Sequence, residues 1–572
     1  MSRRQTTIVS TVIAGALLLS MLALLAGFRQ PAASPSPAQP GFDASRALDE
    51  MEAFVTECPD RVFGTFQSRH AMGYLSDRLR EMGYAVDYTQ YSARIGRTKE
   101  VGRNVLGYRE GANPEILALT AHYDTAATTV QGAMANGSGV GVLLEIARIL
   151  ADRPPSRSLL VVCTDGGEWG MLGAVDLATR YSERGRIAAV LSLDYVGIGE
   201  LAALRLDTTG LRRGYTPPWY RMLSLGAAQQ EGIPVRSPEG FGEHLARTLY
   251  IPWSDQGPFL GAGIPAVNLG STSVDLKKER AIYHSPQDTA GNLTPMAMGQ
   301  FGRTAERIVR TLDALPSIPR QPDAFRVRKD RFLGAHTIRV LHGILFLPLL
   351  FCFFFHVRNH RHGLGPMRLG RELIAWLATV LPMAAWYLMI GLFRKLRMLP
   401  FYDLYPATAK DPVLQNPSWG VIGGILGVAV LIAALCTLLF VVAYRRHPGP
   451  SYSTSKTVLL GLALPIVVLA LAYNSYWAAT MLALPCWIWC LAGGGSGWNA
   501  RLRHWAWILA GAIPCCMVAA DFASRFGMGP NAVWYQILAL NTGLFSAAGF
   551  FLGIAAAAIG VRFLVGQLHA CP

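Results

Sequence analysis

Two hydrophobic patterns divide the chain. Up to about residue 319, short apolar segments alternate with amphipathic ones, and after about residue 336 long apolar runs take over. In the first part, "SRHAMGYLSDRLREMGYAV" carries apolar residues at helical spacing and then runs into a strand. The segments "EILALTAHYD", "SLLVVCTD" and "AAVLSLDYVG" are short and apolar enough to be buried strands. A helix after Ser138 and a last one over 294–315 complete the alternation. Strands alternating with helices predict an α/β fold, a mostly parallel sheet flanked on both faces by helices.

The apolar runs predict an α-helical multispanning membrane domain. Candidate spans lie near 336–355, 373–393, 419–444, 457–473, 477–491, 505–520 and within 533–565. With the uncharged run 7–28 at the start, that makes eight, several of about the length that crosses a hydrocarbon core of roughly 30 Å and some shorter. The run 457–491 is read as a hairpin broken at Asn474, and the last run is long enough to hide a re-entrant piece before Asn541. The resulting division is an anchor at 1–28, a Pro/Ala/Ser linker at 29–42, an α/β domain at 43–316, a linker at 317–335 and the membrane domain at 336–572. A cleaved signal peptide is the alternative reading of the first run.

Charge then orients the scheme. The net charge of +15 would suggest nucleic acid in a soluble protein, but the excess sits between apolar runs. Arg358, His360, Arg361, His362, Arg368 and Arg371 follow one run, Arg445 and Arg446 another, and Arg501 and Arg503 precede a third. Basic loops of this kind mark the cytoplasmic side, which puts the α/β domain outside the cytoplasm. Arg394, Lys395 and Arg397 count against that orientation. Membrane lipid and a second membrane protein are therefore the expected partners of the helical part, and nucleic acid is not. Of nine cysteines only Cys58 and Cys163 precede the membrane part, so neither a disulfide framework nor a zinc-finger spacing follows.

Four polar elements punctuate the α/β part. "AHYDT" places His122 and Asp124 two apart at a strand end, on one face. "TDGGEWGMLGA" runs from a strand into a glycine-rich turn bearing Glu168. "LSLDYVG" ends a strand at Asp194, and "YHSPQDT" puts His284 in a loop. Each has an ordinary reading as a polar strand end, a helix-start acid, a cap or a loop histidine.

Taken in this order, with "GRNVLG" and "SDQGPFLGAGIPAVNLG", the segment from about Asp43 to Leu315 resembles the co-catalytic zinc exopeptidases of metallopeptidase family twenty-eight. That family includes secreted aminopeptidases, glutaminyl cyclases and multispanning metallopeptidases. The resemblance implies zinc ligands His122 and Asp194 in one half-site, and Glu168 and His284 in the other, with Asp124 orienting His122.

Two family positions depart. Where the family reads Gly-Ala-x-Asp-Asn-x-Ser-Gly, this chain reads "GAMANGSG", so the carboxylate that would bridge the metals is Ala135. The glutamate that would act as general base, just before the glutamate ligand, is Gly167. Each half-site would keep two ligands, fewer than the usual three with an open position for water. Asp165 is the one candidate substitute base, and a single ion held by all four survivors is an alternative to the pair. The expectation is zinc at zero or one ion in preference to two.

The functional expectation is a membrane-anchored metallopeptidase-like protein with weak or no hydrolysis that binds peptide or protein termini or acts as a scaffold. An active zinc aminopeptidase with an unconventional base is the alternative. A role like that of the transamidase attachment subunit rests on layout alone, and a transporter is least supported, because the spans carry few ionisable residues.

Overall fold

The computed structural model describes all residues except 1–2, 26, 32–38, 96–97, 153–154, 362–364, 397, 400–416, 445–451, 492–501, 503–505, 507–509, 512, 515, 522–530, 543–545 and 569–572. The chain forms two compact units, one centred on Phe28–Leu333, the other built from Met1–Gly27, Gly334–Pro400 and Asn416–Pro572.

In the first unit the strands are β1 (Phe28–Arg29), β2 (Ala85–Ile95), β3 (Thr98–Arg109), β4 (Asn113–His122), β5 (Arg157–Thr164), β6 (Ile187–Leu193), β7 (Leu201–Asp207), β8 (Val235–Arg236), β9 (Ala266–Ser273), β10 (Ala324–Arg328) and β11 (Arg331–Gly334). Eight of them make one sheet in the order β2-β3-β5-β4-β6-β9-β7-β8. Its centre, β5-β4-β6-β9, is parallel, and so is β7-β8. The β2-β3, β3-β5 and β7-β9 pairings are antiparallel. The sheet is therefore mixed, with four of its seven pairings parallel, as the mostly parallel reading expects. The β2-β3 hairpin escaped the apolar pattern because it is an edge whose Tyr91 and Ala93 turn inward while Ser92 and Arg94 face solvent. Gly102 lies opposite Tyr91 in that hairpin, and a Cβ there would come within 2.4 Å of the Tyr91 ring. Only glycine fits.

The helices form where their caps and apolar stripes dictate. Asp43 accepts from the amides of Ser45 and Arg46 to start Ala44–Glu57, and Thr65 accepts from Ser68 to start Phe66–Glu81. Thr294 caps Pro295–Ala314, the expected last helix. Ser138–Ala151 is buried over its first ten residues. Together with the preceding turn, as Ala133–Ala151, it counts among six helices of the described residues long and apolar enough to cross a membrane, yet 83% of its apolar window is buried, so it is a core helix.

The segment expected as a linker at 317–335 is folded. β11 lies between β1 and β10 in a three-stranded sheet, with Phe28 stacked on Phe332 at 6.0 Å. Phe325, Phe332 and Leu333 are buried there, an apolar content too small over each short strand to stand out in the sequence.

In the second unit, the five other helices that meet the length and composition needed for a span are Arg4–Leu22, Ala335–His360, Pro366–Lys395, Trp419–Cys436 and Thr454–Tyr473, with Ser475–Leu491 and Ala547–Phe563 shorter. Asn474 does break the long run: its side chain accepts from the amides of Tyr476 and Trp477. Lys456 Nζ then donates to the Cys490 carbonyl at 3.2 Å, joining the start of one helix to the end of the next in a hairpin. The last run splits into Ala532–Thr542 and Ala547–Leu568. The first of these, at about 1.5 Å per residue, is too short to span. Glu372, buried, accepts from Ser455 Oγ at 2.6 Å and pairs with Arg562 at 3.2 Å. Part of the expected 505–520 span, with His362, Arg397, Arg445, Arg446, Arg501 and Arg503, lies outside the described residues.

Candidate functional site

Three parallel strands end together. His122 closes β4 opposite Thr164 at the end of β5, and Thr120 stands opposite Ser192 in β6, two residues before Asp194. Open α/β sheets place ligands at such carboxyl ends. Beyond β5 the turn 165–171 leads into the helix Leu172–Arg180 and carries Glu168. His284 follows the helix Leu276–Ile282 with a left-handed φ of 52°.

The four side chains expected as ligands stand as two pairs. His122 Nε2 lies 3.4 Å from Asp194 Oδ1, and His284 Nε2 lies 2.9 Å from Glu168 Oε1. On its other side, His122 Nδ1 is 3.3 Å from Asp124 Oδ1 and 3.2 Å from the Asp124 carbonyl. Burial opposes charge on His122, but the hydrogen bonds and charges of Asp124 and Asp194 outweigh it and raise its pKa well above the usual imidazole range. Asp194 shows the converse. Burial would raise its pKa, and the hydrogen bond and charge of His122 bring it below the ordinary value. Both shifts favour the imidazolium–carboxylate form of the His122–Asp194 pair.

Each of the two turns around these pairs is held by a carboxylate from elsewhere. In the first, the amides of Met134 and Ala135 donate to Asp288, at 2.7 and 3.3 Å. In the second, the amides of Gly167 and Glu168 donate to Asp124, at 2.7 and 3.1 Å. Asp124 thus braces the glycine turn as well as contacting His122. At position 167 the missing side chain matters. A Cβ on Gly167 would lie 2.3 Å from His122 Cγ and 2.5 Å from His122 Cβ. The imidazole occupies the space a side chain would need.

Asp165, the candidate substitute base, faces away from both pairs in its contacts. Its carboxylate accepts from Ser68 Oγ at 3.2 Å and from the amides of Arg103 and Gly166, at 3.3 and 3.0 Å. Burial, reinforced by the nearby Asp124, pushes its pKa up to about 8. Those donors make it a brace between the turn and the helix Phe66–Glu81.

Several residues here were not singled out from sequence. Asp288 lies four after His284 in the quoted "YHSPQDT", the one local hint available. Asp255 is buried, accepts from Thr164 Oγ1 at 2.5 Å and has its pKa raised by burial to about 6. Tyr283 stacks on His284 with ring centres 3.8 Å apart and meets Tyr195 edge-on at 5.2 Å. Nothing in a local pattern would have marked these aromatics.

A two-zinc centre of the kind the resemblance implies would share a carboxylate between cations about 3.5–4 Å apart, and position 135 supplies a methyl group. Among the described residues, no group of three or more His, Cys, Asp or Glu side chains stands together as metal ligands.

Residues 104–309 match the model described as Peptidase family M28. The chain is 27% identical over 302 residues to the alkaline phosphatase isozyme conversion protein of Escherichia coli, covering 47% of this chain and 84% of that protein. It is 28% identical over 210 residues to aminopeptidase YwaD of Bacillus subtilis, covering 36% of this chain and 43% of the relative, less than half its length. Among solved structures it is similar to BSAP, a zinc aminopeptidase from Bacillus subtilis, at 16% identity and TM-score 0.40, over 48% of this chain and 95% of that one.

Proposed function

We propose that the protein, whose residues 104–309 form a domain of peptidase family M28, is a membrane-anchored metallopeptidase-like protein that holds peptide or protein ends with little or no hydrolysis. The observation that carries this reading is the pairing of the four surviving ligand side chains with one another, His122 with Asp194 and His284 with Glu168, beside Ala135 and Gly167. In the first pair, Asp124 and Asp194 favour the protonated form of His122, which offers a metal no lone pair. Position 167, where the resemblance places the general base, carries no carboxylate to take a proton from an attacking water, a loss that typically costs about 10²–10⁴-fold in rate.

In this reading the non-cytoplasmic side carries the α/β domain, and the apolar helices anchor it and contact lipid or another membrane protein. Zinc is absent or present as one ion. The test is made on the purified full chain, with metal content by elemental analysis and release of amino acids from aminoacyl and short-peptide substrates. The expected result is fewer than two zinc ions per chain and no zinc-dependent release. Robust zinc-dependent hydrolysis that is lost in both Glu168→Ala and His284→Ala would overturn it in favour of an active aminopeptidase. Sidedness is read separately, with an impermeant thiol probe that should label a cysteine introduced at Gln30 and not one at His360.

A further inference from the structure

At the lip of the two-pair site, one cation is placed for a task the site itself does not explain. Arg205 lies on β7, directly opposite Gly270 of β9. A Cβ on Gly270 would meet Arg205 Nη2 at 3.3 Å and the Asp194 carbonyl oxygen at 3.1 Å. The glycine therefore opens a lane over which the guanidinium crosses the sheet towards the end of β6.

Two rings hold the guanidinium in that lane. Its carbon sits 5.8 Å from the centre of the Tyr195 ring and 5.9 Å from that of Trp253. Tyr195 is fixed in turn by its hydroxyl, which donates to Glu279 at 2.5 Å, and by its edge contact with Tyr283. Nε is used, donating to Asp207 at 3.0 Å. Among the described residues, the two terminal nitrogens donate no hydrogen bond.

The chemistry of the missing acceptor follows from the donor. A guanidinium with Nε engaged still presents a flat edge of terminal N–H groups, whose fork matches the two oxygens of a carboxylate. The side chain is 32% exposed, and Trp253 is 39% exposed, so the edge is reachable from outside. Aromatic rings on its flanks limit the water around it and supply apolar surface for the methylene groups that carry such a carboxylate.

We propose that Arg205, framed by Tyr195 and Trp253, anchors a carboxylate on the bound peptide, so that the site selects peptides bearing an acidic side chain near the held end. This rests on the peptide-holding reading above and names the class of peptide.

The test measures binding of four peptide amides to the full chain in detergent micelles by calorimetry: Glu-Ala-Ala, Gln-Ala-Ala, Ala-Glu-Ala and Ala-Gln-Ala. Glutamine matches glutamate in shape and lacks its charge. In at least one register the glutamate peptide should bind about tenfold or more tighter than its glutamine twin, and added salt should narrow the gap. The preference should vanish in Arg205→Gln and shrink in Arg205→Lys, which keeps the charge without the fork. Equal binding of both twins to the wild type, or a preference that survives Arg205→Gln, overturns the inference while leaving the peptide-holding reading in place. Failure of all four peptides to bind the wild type overturns both. Because the twins are compared on the wild type, the experiment remains decisive even if the Arg205→Gln protein does not fold.

Discussion

The turn at 132–139 and the turn at 165–171 have each lost a carboxylate that the resemblance leads one to expect, and they have absorbed the loss differently. In the first, Ala135 keeps a small side chain, and Asp288 ties the amides of Met134 and Ala135. In the second, Gly167 keeps none, and the His122 imidazole fills the room where one would start. The first loss removes a charge and leaves the frame. The second has become part of the packing, so it is the harder one to reverse. An absent functional group and a substituted functional group are thus not equivalent, even when the sequence reports both as a single missing acid.

The largest test of that comparison removes the imidazole that fills the second turn. His122→Ala leaves Asp124 and Asp194 buried without their cation, and breaking a buried pair this way typically costs about 3–5 kcal/mol. Thermal unfolding of the full chain, followed by near-ultraviolet circular dichroism, should show a clear fall in midpoint. A shift no larger than that of a surface substitution would mean that the imidazolium pair does not form.

Next come the two turns directly. Gly167→Ala forces a methyl against His122 and should destabilise by about 1–3 kcal/mol, as overpacking does, whereas Ala135→Gly should cost about 0.5–1 kcal/mol. Equal effects would erase the contrast between the turns. By the same argument, Ala135→Asp should raise zinc retention on elemental analysis more than Gly167→Glu does, since the second substitution must first displace a ligand ring. The reverse order would show that the turn at 165–171 relaxes freely.

The braces give a comparable test. Asp288→Ala leaves two buried amides of the first turn without an acceptor, at about 1–3 kcal/mol for an unsatisfied buried group. Hydrogen exchange should speed up at Met134 and Ala135 and leave Gly167 and Glu168 protected by Asp124. Asp124→Ala should do the opposite.

The last test is smallest per pH unit, because it is a slope. Asp165 has a folded pKa of about 8, against roughly 3.9 in an unfolded chain. Between those values the unfolded state has lost the proton that the folded state keeps, so stability from this group falls as pH rises, by at most about 1.4 kcal/mol per pH unit. His122, raised above the usual imidazole value, acts in the same sense from about pH 6.5 up through its folded pKa. Asp194, lowered, loses its contribution only as pH falls through the acid range. Asp165→Asn should flatten the slope of unfolding midpoint against pH between about 4 and 8. An unchanged slope would mean that Ser68 and the two amides already hold Asp165 ionised.

Much of the frame was legible in the sequence because it is written in local periodicity. β4, β5 and β6 fall on the three apolar runs read as strands, the helix Pro295–Ala314 lies within the predicted range, and Asn474 breaks the hairpin where the sequence places the break. β2 was legible only at its start, after the helix Phe66–Glu81, and the rest of the β2-β3 edge and the β1-β11-β10 sheet were not. Their strands are half polar or very short, and β1 finds its partner across the chain, as Phe28 and Phe332 show.

The sequence by itself determined which chemical groups exist: His122, Asp124, Glu168, Asp194 and His284 are present, and positions 135 and 167 carry no carboxylate. It also determined where long apolar helices form, because that depends on composition within one window. Tertiary structure alone decided what those groups touch. It joined His122 to Asp194 and His284 to Glu168, seated the imidazole over Gly167, brought Asp288 under Ala135, and laid Arg205 across Gly270. The reason is physical range: a period is set by neighbours three or four residues apart, whereas these contacts depend on strand register and close packing between segments tens to more than a hundred residues apart.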